Sequence, residues 1–404
     1  MENPKIRFKG FTKDWEQRKL GELGSLKNGM NSSKEAMGHG FPFINLQNIF
    51  GNNVIDVNKL ELADATEKQL LEYSLLKGDV LFVRSSVKLE GVGEAALVPE
   101  TLENTTYSGF IIRFRDEYGL NNDFKKYIFG TQKVRNQIMA QATNSANKNI
   151  SQGVLENLTF EVPSFDEQAK IGEHFSNLDH LITLHQRKCE QTKKLKKYML
   201  QKMFPQNGAK VPEIRFDGFT YDWEQRKFGS LLEETRNKTI FEDEDTLLSC
   251  AIDGMYLNSE LFSHFRGSSN IGYLKVKKND LILSAQNLHL GNCNVNLRFE
   301  HGIISPAYKV YELVGCNPLF MQAWVKKDST KDFFLKSSTE GASVCRKNIV
   351  WEELYKQELP VPSIEEQTKV GEYFYSLDHL ITLHQRKCDE LKKMKKYMLQ
   401  NMFI

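Results

Sequence analysis

The sequence predicts two tandem mixed α/β (α+β) domains, joined by two long antiparallel coiled-coil helices with pseudo-two-fold symmetry. Three observations carry this prediction. Two sequence blocks recur almost unchanged, one of them has the apolar spacing of a long helix, and the segments between the blocks alternate strand-like and helix-like runs.

The first repeated block spans residues 6–23 and returns at 214–231, with 14 of 18 positions identical. The second block spans Val162–Phe204 and returns at Val361–Phe403, with 31 of 43 positions identical. Chance does not produce two such repeats in one chain. The chain is therefore a tandem duplication.

The inserts between these blocks barely align. The first block is repeated at an offset of 208 residues and the second at 199, so the second insert is nine residues shorter. The repeated blocks, called the frame, surround two different inserts. This indicates that the frame has the same function in both halves, whereas the inserts have two related but different functions. We expect a first domain at 1–161, a central helix at 162–207, a second domain at 208–360 and a distal helix at 361–404.

Each insert is expected to be mixed α/β. A matched turn signal, Lys77-Gly78-Asp79 and its counterpart Lys278-Asn279-Asp280, precedes an apolar run in each half. The predicted strands are Val80–Val83, Leu281–Leu283 and Phe110–Arg115, and the predicted helices are Asp123–Met139 and Pro318–Leu335. A short helix is expected at the end of each insert.

The second block has the heptad spacing of a long helix. From Asp166 to Met203 a helix would be about 57 Å long, and it cannot bury its apolar seam alone. Two copies in one chain can pack on each other. The expected interface residues are Ile171, Phe175, Leu178, Ile182, His185 and Cys189 in the central helix, and Val370, Phe374, Leu377, Ile381, His384 and Cys388 in the distal helix. Beyond Thr192 the seam is expected to stutter to Leu195, Met199 and Met203.

The histidines and cysteines of this seam also allow a metal interpretation. His185 with Cys189, and His384 with Cys388, share helix faces and would make a Cys2His2 set. Their coincidence with the heptad seam favours buried packing residues instead, and we expect no metal site.

Composition limits the functional classes. The chain has 54 Lys plus Arg against 52 Asp plus Glu, so it would not hold DNA by net charge alone. The start of the sequence lacks the pattern of a signal peptide, no apolar stretch is long enough to span a membrane, and the six cysteines form no C-x-x-C pair. We therefore expect a cytoplasmic protein without membrane contact.

Together these motifs make the chain resemble the specificity (S) subunit of type I restriction-modification enzymes over essentially its whole length. The opening RFKGFTKDWEQRKLG at 7–21 and its return at 215–229 carry the resemblance. So do KGDVLF at 77–82 and VPSFDEQAKIGE at 162–173. One departure is Asn279, which occupies the position of Gly78 in the matched turn.

The resemblance implies a non-catalytic subunit. Its two target-recognition domains would each read one half of an asymmetric, split site in double-stranded DNA. The paired helices would dock two methyltransferase (M) subunits, and restriction (R) subunits would join that core. The assembled complex would be a type I site-specific deoxyribonuclease and adenine-specific DNA methyltransferase. S-adenosylmethionine, ATP and Mg are then expected on the partner subunits and no cofactor on this chain.

The residues themselves offer no convincing catalytic motif. Glu90–Glu94 is glycine-rich but is better explained as a loop or hairpin than as a cofactor cradle. Asn317–Phe320 lacks the second proline of an amino-methyltransferase loop, so helix initiation at Pro318 is favoured. Asp389–Lys392 lies on the long helix and is explained as a solvated charged face.

Base readout is expected in the inserts, because contact with base edges needs Arg, Lys, Asn or Gln on a presented element. The candidates follow the matched strands or lie in polar loops, and each has ordinary polar surface as its alternative. The candidates are Asn45, Gln47, Asn48, Arg84, Ser85, Lys88, Lys148, Ser284, Gln286, Asn287, His289, Arg346 and Lys347.

Two other classes of protein are also compatible with the sequence. One is a coiled-coil adaptor whose two globular ends bind proteins, and the other is the recognition part of a self-sufficient restriction enzyme. The lysine clusters at 193–197 and 392–396 fit a solvated face, DNA phosphates or an acidic partner.

Overall fold

The computed structural model describes residues 4–143, 147–206, 208–263, 269–339 and 347–403. The chain divides into two compact units, unit 1 (Met1–His185 with Lys387–Ile404) and unit 2 (Gln186–Arg386). Each long helix contributes one part to each unit. Within the described residues, no helix combines the length and apolar composition that crossing a bilayer requires.

Unit 1 is built from eleven short strands and five short helices among its described residues, followed by the first part of a long helix. The strands are β1 (Glu16–Lys19), β2 (Gly24–Asn28), β3 (Met37–Ile44), β4 (Glu61–Ala63), β5 (Val80–Val83), β6 (Ser85–Ser86), β7 (Ala95–Leu97), β8 (Thr106–Tyr107), β9 (Ile111–Asp116), β10 (Lys148–Asn149) and β11 (Thr159–Val162). The helices are α1 (Leu20–Leu23), α2 (Glu67–Glu72), α3 (Asn122–Ile128), α4 (Gln132–Gln141), α5 (Gln152–Glu156) and the long α6 (Phe165–Lys202).

The main sheet of unit 1 has the strand order β2-β9-β5-β7, and all its pairs are antiparallel. All four residues of β5 are buried, as expected for a central strand between two packed faces. A three-stranded sheet, β4-β3-β8, and the pairs β1-β11 and β6-β10 complete the unit.

The core of unit 1 joins this sheet to both long helices. Phe124 of α3 and Phe175 of α6 pack with Phe403, from the end of the chain, at ring-centroid distances of 5.7 and 5.8 Å. Cys388 and Leu391 lie in the same buried cluster as Ile182. Phe175 packs near Phe403, whereas Ile182, later in α6, lies with the earlier residues Cys388 and Leu391. The two helix segments therefore run antiparallel within this unit.

Unit 2 has ten strands and four short helices among its described residues, with the start of a second long helix. The strands are β12 (Glu224–Lys227), β13 (Leu232–Thr235), β14 (Leu248–Cys250), β15 (Met255–Leu257), β16 (Leu274–Lys277), β17 (Leu281–Ser284), β18 (Cys293–Val295), β19 (His301–Ile304), β20 (Tyr308–Leu313) and β21 (Glu358–Val361). The helices are α7 (Asn258–Leu261), α8 (Pro318–Val325), α9 (Asp328–Lys336), α10 (Trp351–Lys356) and the long α11 (Ile364–Met402).

The main sheet of unit 2, β13-β20-β17-β18, repeats the order and antiparallel pairing of the sheet in unit 1. Its remaining strands pair as β12-β21, β14-β15 and β16-β19. Phe204, from the turn after α6, packs 5.5 Å from Phe320 and 6.0 Å from Phe374 between ring centroids. Unit 2 therefore has an aromatic contact like the one made by Phe403 in unit 1.

The frame makes the same long-range contacts in both units. Arg7 forms an ion pair with the buried Glu167 at 2.7 Å, and Arg215 does the same with Glu366. The backbone N–H of Ile6 donates to the Asn401 carbonyl, and that of Ile214 donates to the Lys202 carbonyl. Each opening segment is thereby fixed to a long helix.

The predicted elements are largely present. The strand at Val80–Val83 is confirmed, the other two strands shift by one residue at their ends, and Asp166–Met203 shifts by one residue to Phe165–Lys202. The single helices predicted at Asp123–Met139 and Pro318–Leu335 are wrong in one respect. Each is two helices, separated at Phe129–Thr131 and at Lys326–Lys327.

The predicted stutter in the helix seam is also wrong. Leu195 is 44% exposed, whereas Cys189 and Met203 are buried and Thr192 and Lys196 are half-buried. The less exposed positions therefore continue at alternating spacings of three and four residues through Thr192, Lys196 and Met199. The apolar pattern did not predict this, because Lys196 occupies a position where an apolar residue was expected.

Candidate nucleic-acid interface

A tight turn introduces the central strand of each main sheet. Gly78 has φ +92° and Asn279 has φ +74°, so asparagine adopts the left-handed conformation that glycine adopts in the other unit. The Asp79 carboxylate accepts a hydrogen bond from the Leu76 backbone N–H at 2.8 Å, and Asp280 accepts one from Lys277 at 2.7 Å. The two turns thus present the residues that follow β5 and β17 in the same way.

The loop after β5, residues 84–94, is called L1 here. The Arg84 backbone N–H donates to the Phe110 carbonyl at 2.7 Å, and the Ile150 N–H donates to the Arg84 carbonyl. Ser86 pairs with Lys148 in the short β6-β10 ladder. L1 therefore brings Arg84, Ser85, Lys88 and Lys148 together.

The loop after β17, residues 285–292, is called L2. The Ala285 N–H donates to the Ala307 carbonyl, and the Lys347 N–H donates to the Gln286 carbonyl at 3.2 Å. Lys347 therefore approaches L2 in unit 2 much as Lys148 approaches L1 in unit 1. Arg346 lies outside the described residues.

The accessibility of the candidates divides them. Lys88 and Gln286 are exposed, and Arg84, Lys148, Asn287 and Lys347 are half-buried. The remaining candidates at or next to the two loops are buried, namely Ser85, Ser284 and His289. The Ser284 Oγ accepts a hydrogen bond from the Asn287 N–H, which holds L2 in its turn. Burial argues for a bracing role of these three side chains and against contact with a base.

The candidates at 45–48 stabilise their own turn. The Asn45 side chain accepts from the Leu46 N–H, and the buried Asn48 side chain accepts from the Asn45 N–H, both at 2.9 Å. Glu61 accepts hydrogen bonds from the amides of Asn45 and Gln47. Of these three candidates, only Gln47 is exposed.

Electrostatics differ between the two matched turns. In unit 1 Arg115 donates two hydrogen bonds to Asp79, at 2.9 and 2.7 Å. In unit 2 Glu312 stands at the position of Arg115. Burial, with a smaller contribution from the charge of Glu312, raises the pKa of Asp280 to about 6.

The sequence did not indicate the apolar residues beside L1. Phe50, Val87, Leu89 and Phe110 are all exposed large side chains of unit 1. The sequence pattern predicts Phe110 as the first residue of a strand, but β9 begins at Ile111. The only signal in the sequence was the presence of apolar residues in three separate polar loops. These residues indicate a surface cluster only once the fold brings the three loops together.

The residues expected at the helix pair lie mostly in the cores of their units. His185, Ile381 and His384 are half-buried. The Cys189 thiol lies 3.9 Å from the Ile381 carbonyl oxygen and 3.8 Å from the Gln385 Oε1. The buried positions are Ile171, Phe175, Leu178, Ile182 and Cys189, with Val370, Phe374, Leu377 and Cys388. In the part of the chain that the structure describes, no three His, Cys, Asp or Glu side chains are grouped to hold a metal ion.

One lysine of each basic cluster forms an ion pair between the two long helices, within its own unit. Lys395 forms an ion pair with Asp179 in unit 1, and Lys196 forms one with Asp378 in unit 2, both at 2.6 Å. Lys395 also lies 5.2 Å above the Tyr127 ring. These lysines join the two long helices, a role that the cluster pattern did not reveal.

Comparison with known sequences identifies related proteins. Residues 12–194 match the sequence model of the type I restriction modification DNA specificity domain. The putative type I restriction enzyme MjaX specificity subunit of Methanocaldococcus jannaschii is 22% identical over 409 residues, covering 96% of this chain and 92% of that protein. The type I restriction enzyme EcoKI specificity subunit of Escherichia coli K12 is 28% identical over 151 residues, covering 37% of this chain and 32% of that protein.

Solved structures resemble the fold. The S subunit of a type I restriction-modification system from M. genitalium matches with a TM-score of 0.62 and 16% identity, over 100% of this chain and 99% of that one. A chain from a structure of the complex assembly and conformational transition of the type I R-M system matches with a TM-score of 0.51 and 15% identity, over 97% and 98%. At these identities the likeness concerns the fold.

Proposed function

We propose that this chain, a member of the specificity-subunit family of type I restriction-modification enzymes, reads an asymmetric bipartite DNA site and scaffolds the methyltransferase and restriction subunits. The observation that carries the proposal is a repeated frame that presents two different loops. L1 and L2 leave equivalent turns on equivalent sheets, but Arg84 in one corresponds to Ala285 in the other. Equivalent positions with different side chains suit the reading of two different half-sites.

In this proposal L1 and L2 approach base edges. Arginine and glutamine are the side chains that make bidentate contacts with guanine and adenine, respectively, in the major groove. Arg84 and the exposed Gln286 are the candidates that the two loops offer for this role. Since the chain carries a net charge of only +2, partner subunits would supply much of the contact with phosphates.

The two long helices would form the spacer between the target-recognition domains. We infer an antiparallel coiled coil with pseudo-two-fold symmetry, formed by the segments 162–207 and 361–404. The matched ion pairs Lys395–Asp179 and Lys196–Asp378 support it, because each joins the helices in the same way within its own unit. Such symmetry would present two recognition surfaces to successive turns of the duplex.

Chemistry is assigned to the partners. Methyl transfer, with S-adenosylmethionine, would occur on two M subunits, and ATP- and Mg-dependent cleavage would require R subunits. The glycine-rich segment at Glu90–Glu94 is part of L1, where Gly91 ends a single helical turn at Leu89–Gly91. Asn317 caps α8 through the Leu319 and Phe320 N–H groups, with Pro318 in the first turn. Both segments therefore have a structural explanation, which supports a non-catalytic chain.

Methylome sequencing tests the reading function against the adaptor alternative. A host that expresses the cognate methyltransferase subunits is sequenced with and without this chain. We expect a split, asymmetric methylated motif only when the chain is present. If methylation is identical in both strains while the chain still binds its partners, the chain is an adaptor and the proposal fails.

A further inference from the structure

An open apolar cleft of about 540 Å³ lies beside L1 in unit 1. Its apolar walls are Leu46, Phe50, Val87 and Phe110. Val87 is 78% exposed and Phe110 is 57% exposed. Large apolar side chains grouped in this way on a surface indicate a contact with another molecule.

Three separate segments hold these side chains in place. Phe50 packs against Gly91, where a Cβ atom would come within 2.9 Å of the ring. The Phe110 carbonyl accepts a hydrogen bond from the Arg84 N–H at 2.7 Å, which places this residue beside L1, and Phe110 lines the cleft. Val87 lies within L1 itself. The cleft is therefore built partly from the loop that we propose as a base reader.

The charges around the cleft select the kind of occupant. The exposed Lys88 lines the cleft, so a DNA strand would find a cation along this side. Glu90 and Glu94 also line the cleft, and the Glu94 carboxylate accepts a hydrogen bond from the Gly51 N–H at 2.8 Å. Two carboxylates disfavour a phosphate inside the cleft. An uncharged base edge is compatible with both the carboxylates and the apolar walls.

Unit 2 differs at the corresponding position. The carbonyl that accepts from the first residue of the loop belongs to Phe110 in unit 1 and to Ala307 in unit 2. The apolar side chains are thus a property of one insert and not of the frame, as a determinant of one half-site should be.

We propose that this cleft receives the 5-methyl group of a thymine in the half-site read by the insert at 24–160. The methyl group is the one apolar group that a base pair presents in the major groove, and apolar side chains are its usual partners. Val87 and Phe110 would make the contact, with Phe50 behind them. This inference rests on the proposed DNA-reading function and adds the chemistry of one readout.

Thymine-to-uracil replacement tests the contact, because it removes only the methyl group. The assembled complex with its methyltransferase subunits is titrated with duplexes in which each thymine of the first half-site is replaced in turn. We expect one replacement to weaken binding by the wild-type complex about three- to tenfold. In complexes carrying Val87→Ala or Phe110→Ala, the loss of affinity caused by that uracil should shrink towards none. Uracil in the other half-site should change the affinity of the wild-type and variant complexes equally.

Leu71→Ala is the matched control, since Leu71 is 80% exposed in the same unit but does not line the cleft. It should keep the full uracil penalty. The inference is wrong if the first half-site contains no thymine, if no replacement weakens binding, or if the penalty persists in both cleft variants. It is also wrong if these variants lose the methyltransferase subunits, because the cleft would then be a protein interface. Sequence-selective binding by the wild-type complex in each of these cases would leave the proposed function intact.

Discussion

Unit 1 and unit 2 share their frame contacts and differ at the loops that those contacts support. The ion pairs Arg7–Glu167 and Arg215–Glu366 have the same atoms at the same 2.7 Å distance. In contrast, L1 lies beside a cleft with exposed Phe110, and L2 presents Gln286 beside Ala307. The difference fits a repeated frame that ties each unit to the long helices and variable loops that, in the proposed function, confer specificity.

Removing a frame arginine should have the largest effect and should cost the same in both units. Arg7→Ala and Arg215→Ala each leave a glutamate side chain that is 2% exposed without its counter-ion. We expect each to lower the free energy of unfolding of its unit by about 3–5 kcal/mol, measured by denaturant titration. Arg18→Ala is the control, because its pair with Glu16 is exposed and should be worth less than about 1 kcal/mol. Costs that differ clearly between Arg7→Ala and Arg215→Ala would break the equivalence of the frames.

Changing a loop residue should affect one half-site only. We expect Arg84→Ala and Gln286→Ala each to cost about 1–3 kcal/mol in binding and to relax discrimination in one half-site, because each removes hydrogen bonds to a base edge. Lys393→Ala, on an exposed part of α11, should weaken all duplexes alike or have no effect. Affinities for matched and singly substituted duplexes at fixed salt measure this. Equal losses on every duplex, or a large fall in melting temperature, would remove Arg84 and Gln286 as base readers.

The smallest effect concerns the two matched turn aspartates, which should respond oppositely to the same substitution. The pKa of Asp280 is raised to about 6 in the folded state, so folding favours the protonated carboxyl. The resulting stability of unit 2 is present at low pH and is lost as pH rises through about 6. Asp280→Asn should therefore stabilise unit 2 by about 1 kcal/mol at pH 7.5 and less at pH 5. Asp79→Asn should destabilise unit 1 at pH 7.5, because it weakens the pair with Arg115. Melting curves at the two pH values test both, and a loss of stability in Asp280→Asn at pH 7.5 would contradict the pKa argument.

Local signals explain which parts of this comparison the sequence predicted. The strand at Val80–Val83 and the long helix follow from apolar patterns within a few turns of chain. The break at Lys326–Lys327 did not, because it coincides with hydrogen bonds from the Lys326 Nζ to the carbonyls of Ile252 and Cys293, which are 74 and 33 residues away in the chain. Lys196 was assigned to a basic cluster, since its partner Asp378 is 182 residues away in the chain.

The sequence likewise predicted the position of the candidate site but not the accessibility of its side chains. The matched Asp79 and Asp280 turns located L1 and L2, but burial of Ser85 and Ser284 depends on packing that composition does not encode. The cleft escaped notice because Phe110 reaches L1 from a separate segment. Polar residue types alone therefore located two loops that follow equivalent turns, but they also selected side chains that the fold buries.

Exchange of inserts tests most directly the claim that the frame is common and the inserts confer specificity. Residues 24–160 are replaced by a second copy of residues 232–359, which gives a chain with two identical inserts in the unchanged frame. Methylome sequencing should then show a symmetric, inverted motif in which both halves equal the half-site previously read by unit 2. A motif that stays asymmetric, or one in which both original half-sites change while the methyltransferase subunits remain bound, would contradict the account.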